Sequence, residues 1–408
     1  MKLLILSNYF TPDLGAGSFR IQGLIEALEP YRKEDLSVDL ITTMPNRYAD
    51  TKVKALSYED RGWLRIHRIN LPGHQNGMVD QAISYLTYAQ AVRKLTRYQQ
   101  WDLVFATSSR LMTAALGAYV AKRINAPLYL DIRDLFTLNM RELLGQSPMQ
   151  LFLPLFRLIE RRAFRSAACL NVVSEGFVAH ILSLVPDAEV RCFTNGIDEI
   201  FLSEGFLCDR QRQTLPLILY AGNIGDGQGL HHIVPDVAKR LEGKARLRII
   251  GDGSKRKALE DAVTLAGVNN VELLMPVKRA VLLEHYHDAS ILFLHLNELE
   301  AFQKVLPSKI FEYAATRRPI LAGVDGYAAE FLGRHLPDVE VFKPLDVNAM
   351  VAAVDRLLVI ERNIDRYTFF ERFSRRNIMD RMAIDILTTG LRSDFKRNRY
   401  DKKQKKNL

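Results

Sequence analysis

The sequence predicts an α/β protein built from two doubly wound domains, and three observations predict it. Short apolar runs alternate with helix-length amphipathic stretches along most of the chain, the pattern of parallel strands joined by crossover helices. Most of those runs end in glycine, proline or aspartate turns, at the strand ends where doubly wound sheets hold their ligands. The 408 residues, 48% hydrophobic and 25% charged, suffice for two separate cores.

Bulk composition narrows the function classes. No uncharged apolar run approaches the length of a membrane span. The opening Met1-Lys-Leu-Leu-Ile-Leu-Ser-Asn8 is too short for a signal peptide and has no small-residue cleavage site. It reads as a first strand, and the chain is expected in the cytoplasm. The three cysteines (Cys169, Cys192, Cys208) are odd in number and lack metal-ligand spacing, so reduced thiols without a role are expected. The net charge of +9 includes a basic end, 396–408, expected as a solvated, disordered tail. An anionic membrane surface is the alternative partner for that tail. Nucleic acid is not expected, because no aromatic-basic module accompanies it.

In the first domain, 2–6 reads as a strand, followed by a turn with Gly15-Ala16-Gly17 and a helix from Phe19 to about Leu28. Strand, glycine turn and helix make a phosphate-cradling candidate. It is not the dinucleotide fingerprint, because Arg20 holds the third glycine position and the turn is too long. Arg20, in the first helical turn, can reach an anionic acceptor or lie on the surface. Further strands are expected at 37–42, 64–69, 102–106, 128–131, 169–173 and 190–193, with helices over about 79–98 and 111–124. Asp131-Ile132-Arg133-Asp134 falls at one strand's carboxyl end. From Ser147-Pro148 the chain runs through Leu151-Phe-Leu-Pro-Leu-Phe156 to Arg157, Arg161, Arg162 and Arg165. Pro154 is tolerable only in a first helical turn. The pattern suits a helix lying in a membrane interface, or a core helix with a basic solvent face. The polar stretch 199–214 is expected as the linker.

The second domain repeats the alternation, with strands at 217–220, 247–250, 271–274 and 291–294. The first leads into Ala221-Gly-Asn-Ile-Gly-Asp-Gly-Gln-Gly229, whose four glycines let backbone approach a diphosphate closely. Gly251-Asp252-Gly253 follows the second. After the strand at 291–294 comes Pro307-Ser308-Lys309-Ile310-Phe311-Glu312-Tyr313, opening a helix. Ser308 is a good N-cap, Lys309 adds a positive charge, and the Glu312 carboxylate can take two hydrogen bonds from a sugar diol. Together they suit a nucleotide with phosphates and a ribose; a capped surface helix with a Lys–Glu pair is the alternative. His231, His232, His285 and His287 are not joined by a set of ligand carboxylates from strands or loops and read as surface histidines, so no metal is expected. Helices over about 349–360 and 376–391 close the chain.

The segment Leu306-Pro-Ser-Lys-Ile-Phe-Glu-Tyr313 resembles the donor-binding segment of glycosyltransferase family 4, retaining enzymes of the GT-B fold. The likeness is closest to the branch that builds bacterial O-antigen, lipopolysaccharide and capsule sugars. Gly15-Ala-Gly17, Asp131-Ile-Arg133-Asp134, Val173-Ser-Glu-Gly176, Asn195-Gly-Ile-Asp198, the loop 221–229 and Gly251-Asp-Gly253 recur in the family's order. The resemblance implies two Rossmann-like domains facing across a cleft: 1–200 on the acceptor side and 201–375 binding the nucleotide-sugar. A helix at 376–395 would return to the first domain. It places Gly15 and Gly17 near the donor phosphates and the acceptor. It also places Arg133 where many members carry a histidine near the reacting sugar. Arg133 cannot act as a base, so charge stabilisation with Asp134 orienting it, or a structural Arg–Asp pair, are its two readings. The sequence departs from the family at the second glycine loop. Where an Arg and a Lys usually touch the diphosphate, it has Asn223 and Gln228, and Lys304 replaces the first of two glutamates.

The implied reaction moves a sugar, with retention, from a nucleoside diphosphate, UDP in the first instance, to a glycan or an undecaprenyl-diphosphate-linked glycan. No cofactor beyond the nucleotide-sugar is expected. Lys309 and the amides of the glycine loop, Gly222 and Gly225 among them, would stabilise the departing diphosphate. Glu312 would hold the ribose, Ser308, Gly251 and Gly253 would also bind the donor, and Phe302, Val305 and Leu306 would line its sugar. Lys304 would face the diphosphate in place of the missing charges, or else point to solvent. The alternatives are a nucleotide-sugar 2-epimerase of the same architecture and a non-catalytic nucleotide-sugar-binding subunit.

Overall fold

The computed structural model describes the chain except for residues 14, 46–54, 73–77, 109–110, 144–147, 202–214, 360–365 and 405–408. It divides into two compact units, Met1–Asn195 with Arg376–Leu408, and Gly196–Arg375. In each, the central strands are apolar runs buried end to end, as parallel strands covered on both faces must be.

The first unit holds strands β1 (Lys2–Leu6), β2 (Ser37–Thr43), β3 (Tyr58–Asp60), β4 (Leu64–Ile69), β5 (Leu103–Ser108), β6 (Leu128–Ile132), β7 (Cys169–Val172) and β8 (Val190–Cys192). Their order in the sheet is β3-β4-β2-β1-β5-β6-β7-β8. All pairings are parallel except the edge strand β3 on β4, a short strand that the sequence reading missed. Strand order reverses at β1, whose neighbours are β2 and β5. Helix Ala16–Leu28 leaves the loop after β1 and buries Ile21, Leu24, Ile25 and Leu28, a 3.6-residue stripe.

The second unit holds β9 (Leu217–Asn223), β10 (Arg246–Asp252), β11 (Val271–Leu274), β12 (Ile291–His295), β13 (Ile320–Gly323) and β14 (Glu340–Phe342), all parallel, in the order β11-β10-β9-β12-β13-β14. This is a dinucleotide-type order with its switch point between β9 and β12. There the two strands pair at Ile218–Ile291 and Leu219–Leu292, while β9 stays paired to β10 as far as Asn223. Beyond Leu219 the backbone amide of Ala221 instead donates to the Tyr313 hydroxyl at 3.2 Å. A crevice at the carboxyl ends is thus built into the sheet.

Three expectations are corrected here. The division falls at 195/196 rather than 200/201, because Asn195-Gly-Ile-Asp198 does not close the first domain as a block. Ile197 bridges Ser374 in parallel, and its amide donates to Phe373 while its carbonyl accepts from Arg375. A Cβ on Gly196 would lie 2.6 Å from the Arg375 Cα, so only glycine fits this approach. Second, the tail expected to be disordered from 396 is helical as far as Gln404, in a helix beginning at Arg375. Its Lys and Arg residues are good helix formers, so continuing the helix costs little. The rest of the tail, Cys208, Ser147 and most of the expected linker lie outside the described residues. Third, the segment after Pro148 is a 3-10 turn (Pro148–Phe152) and then a helix (Leu153–Ser166). In it Phe156 packs edge-on against Phe136 at 6.0 Å and does not join the exposed cluster.

The final helix belongs to the first unit through specific contacts. Asp385 accepts from the Tyr129 hydroxyl at 2.9 Å, and Gly390 leaves room for Met1. Cys169 and Cys192 are free, and burial pushes both thiols up to about 12, which makes them inert.

Candidate active site

The loop after β9 is shaped by contacts that side chains would block. A Cβ on Gly251 would sit 1.9 Å from the Gly222 carbonyl oxygen, and one on Gly253 would sit 2.5 Å from that of Ile224. These two glycines therefore let the end of β10 lie against the loop. A Cβ on Gly227 would meet the Phe302 ring at 2.7 Å, so loop and Phe302 are packed together. The residues in place of the usual cations bond to each other. Asn223 Nδ2 donates to Gln228 Oε1 at 2.8 Å, and the Gly225 amide donates to the same oxygen at 3.2 Å.

A histidine that sequence reasoning passed over fixes the far end of this loop. His295, at the end of β12, is buried; its Nδ1 donates to the Gln228 carbonyl at 2.6 Å and its Nε2 accepts from the Leu345 amide at 3.1 Å. Burial drives its pKa down to about 4, so it stays neutral.

Across the crevice, helix Lys309–Ala315 carries the predicted pair. Lys309 Nζ lies 2.9 Å from Glu312 Oε2 and 3.0 Å from the Tyr286 hydroxyl, which in turn lies 3.2 Å from Glu312 Oε2. The Lys309 and Glu312 side chains are 27% and 20% exposed, enough for a ligand to reach both. Burial alone would neutralise each. For Glu312 the Lys309 charge, then Arg279 and Arg375, outweigh it and hold the carboxyl below its ordinary value. For Lys309 the Glu312 charge outweighs burial and holds the ammonium above its own. Arg279 and Arg375 are themselves anchored on Asp198. Burial keeps Tyr220, Tyr286 and Tyr313 as neutral hydroxyls.

Other predicted donor residues fall differently. Ser308 occupies the N-cap position but is already helical in φ and ψ, and its side chain makes no cap bond. The carbonyls of Pro307 and Ser308 already accept from Ile310 and Phe311, so the turn starts a residue early. Leu306 is buried in the core and has little surface to offer a sugar, whereas Val305 and Phe302 are half-buried. Lys304 pairs with Glu300 at 3.0 Å, one helical turn back in its own segment.

In the first unit, Arg20 is neither a surface residue nor poised for an acceptor. It is buried, and its Nε and NH2 grip both oxygens of the fully buried Asp131 at 2.8 and 2.9 Å. Its remaining donors go to the carbonyls of Thr194 and Phe193 at 2.9 and 2.8 Å. Burial would raise the Asp131 carboxyl, but Arg20 outweighs it and keeps Asp131 ionised. The structural Arg–Asp pair thus exists, with different members from those expected. Arg133 is half-buried against Gly17, where a Cβ would come within 2.5 Å of its NH1, and Asp134 beside it is exposed. Gly15 is the extended residue before helix Ala16–Leu28. So Gly17 and Arg133 are brought together and Arg20 is withdrawn. His231 and His232 stack on each other, and among the described residues no group of three His, Cys, Asp or Glu side chains can hold a metal ion.

Comparison with known proteins extends these observations. Residues 16–196 match the family described as glycosyl transferase 4-like domain, and residues 215–359 match glycosyl transferases group 1. An Escherichia coli (strain K12) protein assigned by name to colanic acid biosynthesis as a glycosyl transferase, WcaI, is 26% identical over 209 residues, 50% of this chain. The match spans about half of that relative, 47% of its length. Among solved structures, Anabaena HepE in complex with UDP-glucose has a TM-score of 0.65 at 17% identity, over 95% of this chain and 100% of its own. Sucrose-phosphate synthase from Thermosynechococcus elongatus gives 0.65 at 14% identity, over 98% and 99% of the two chains. The α,α-trehalose 6-phosphate synthase of Burkholderia multivorans gives 0.69 at 11%, over 97% and 98%.

Proposed function

Because the chain belongs to the family 4 glycosyltransferases and has their GT-B fold, we propose that it transfers a sugar, with retention, from UDP-sugar to a glycan hydroxyl in surface polysaccharide synthesis. The observation that carries the donor assignment is the Lys309–Glu312 pair at the β9/β12 switch point, with the glycine loop on the facing strand. Ligands of such sheets bind at that crevice. HepE, by its description, holds UDP-glucose, which supports the same donor class here. Both bonds to Glu312 fall on Oε2, which leaves Oε1 for a ribose hydroxyl. Lys309 then serves the diphosphate, where charge grows as the bond to the anomeric carbon breaks. The acceptor oxygen bonds to that carbon on the same face, and its proton passes to the leaving phosphate. Arg133, packed against Gly17, is assigned charge stabilisation in this reading.

The acceptor proposed is a glycan on an undecaprenyl diphosphate carrier; the relative assigned to colanic acid biosynthesis supports that class. A lipid-linked acceptor calls for a bilayer surface nearby. Among the described residues no helix is long and apolar enough to cross a membrane. Helix Leu153–Ser166 instead buries Glu160, Ala163 and Phe164 and turns outward Leu155, Leu158 and the arginines at 157, 161, 162 and 165. Leu151 and Phe152 just before it are 83% and 52% exposed. Apolar anchors beside arginines fit an anionic lipid surface.

Incubating the protein with UDP-sugars and a lipid-linked glycan tests the reaction. Transfer supports it, release of an epimerised donor favours the 2-epimerase, and binding without turnover favours the non-catalytic subunit. Lys309→Ala should lower kcat about 100-fold or more, as loss of one transition-state donor does. Glu312→Ala should mainly weaken donor binding, because a ribose contact is equal in ground and transition states. Normal turnover in Lys309→Ala would sink its assignment to the leaving group.

A further inference from the structure

We propose that Tyr286 is a positioning residue of the donor site, holding Lys309 and Glu312 so that the lysine can exchange its carboxylate partner for phosphate. The proposal rests on the donor reading above. An ammonium has only donors, so Lys309 Nζ must donate to the Tyr286 oxygen at 3.0 Å. The single phenolic proton is then directed to Glu312 Oε2 at 3.2 Å. The direction of every bond in the triangle is therefore fixed.

The tyrosine itself has little freedom. It is fully buried on helix Arg279–Asp288, edge-on to Tyr313 at 5.5 Å and stacked near Phe201 at 6.3 Å. Arg279, two helical turns earlier on the same face, is tied to Asp198 and adds positive potential at Glu312. When a diphosphate draws Lys309 away, Glu312 loses its ion-pair partner in a mostly buried place, where an unpaired charge is costly. The Tyr286 hydroxyl remains on Oε2 and keeps the carboxylate bonded, with Oε1 still turned to the ligand. It also gives the ammonium a neutral anchor that does not compete with phosphate for charge.

The test is a double-mutant cycle read as nucleotide affinity by calorimetry, with UDP, GDP, ADP and dTDP as probes and the full chain as the protein. Tyr286→Phe keeps the ring and its packing and removes one oxygen, so it should melt near the wild-type temperature. It should weaken the tightest-binding diphosphate about tenfold, the usual loss for a hydrogen bond to a charged group. In a Lys309→Ala, Glu312→Ala background the same change should have no further effect, because the hydroxyl acts through that pair. Losses that multiply across the two backgrounds, or wild-type affinity in Tyr286→Phe, overturn the proposal. A silent Lys309→Ala, or no binding of any of the four diphosphates, overturns the donor reading and this inference with it.

Discussion

Arg20 shows what a single residue can conceal from sequence. It stands in the first turn of a helix behind a glycine loop, where an arginine commonly meets an anion, yet its guanidinium is spent on Asp131, Thr194 and Phe193. Those partners lie 111 to 174 residues away, so no local pattern announces them. Removing one member of such a buried pair strands the other charge. Arg20→Ala should cost about 3–5 kcal/mol, measured by denaturant unfolding of the full chain, while a surface arginine would cost almost nothing. The Lys309–Glu312 pair was legible, being local, one turn apart on a short helix. Tyr286 was not, because it reaches the pair from a helix more than 20 residues earlier.

Among the elements, strands and helices were read from alternation alone, and the errors lie at their ends. β9 and β10 run on into the glycines that had been read as loop, because parallel pairing continues to Asn223 and Asp252. The loop's glycines were visible, but the histidine that anchors them was not; a lone histidine ending an apolar strand carries no signal of its own. His295 also makes the element sensitive to acid. Its folded pKa of about 4 lies below its ordinary 6.5, so the unfolded chain takes up its proton first as pH falls. The stabilisation is fully present above pH 6.5 and is lost progressively towards pH 4, on the order of 3 kcal/mol in total. Melting curves across that window should show the loss, and His295→Gln should flatten it. An unchanged slope in that variant would mean that other groups set the acid limit.

At the scale of the whole molecule, the excess of positive charge and the outward face of helix Leu153–Ser166 bear on the proposed bilayer surface. The protein should sediment with anionic vesicles at low salt and less as salt rises, each arginine near the surface contributing about 1 kcal/mol. Phe152→Ser with Leu155→Ser should weaken that binding; equal recovery with neutral and anionic vesicles would exclude the electrostatic part. The two-unit plan was legible from repeated alternation and motif order, whereas the point of division follows Ile197 meeting Ser374 within the second unit, a pairing 177 residues apart. That division has a consequence for synthesis. The first unit is interrupted, its closing helix encoded after residue 375, while the second is one unbroken insertion. A ribosome therefore finishes the second unit while the first still lacks Met382 beside Arg20 and Asp385 beside Tyr129. The half that is begun first is completed last, and until the helix after residue 375 is made it leaves open the place that Ile378, Met379, Met382, Ala383 and Ile386 will fill.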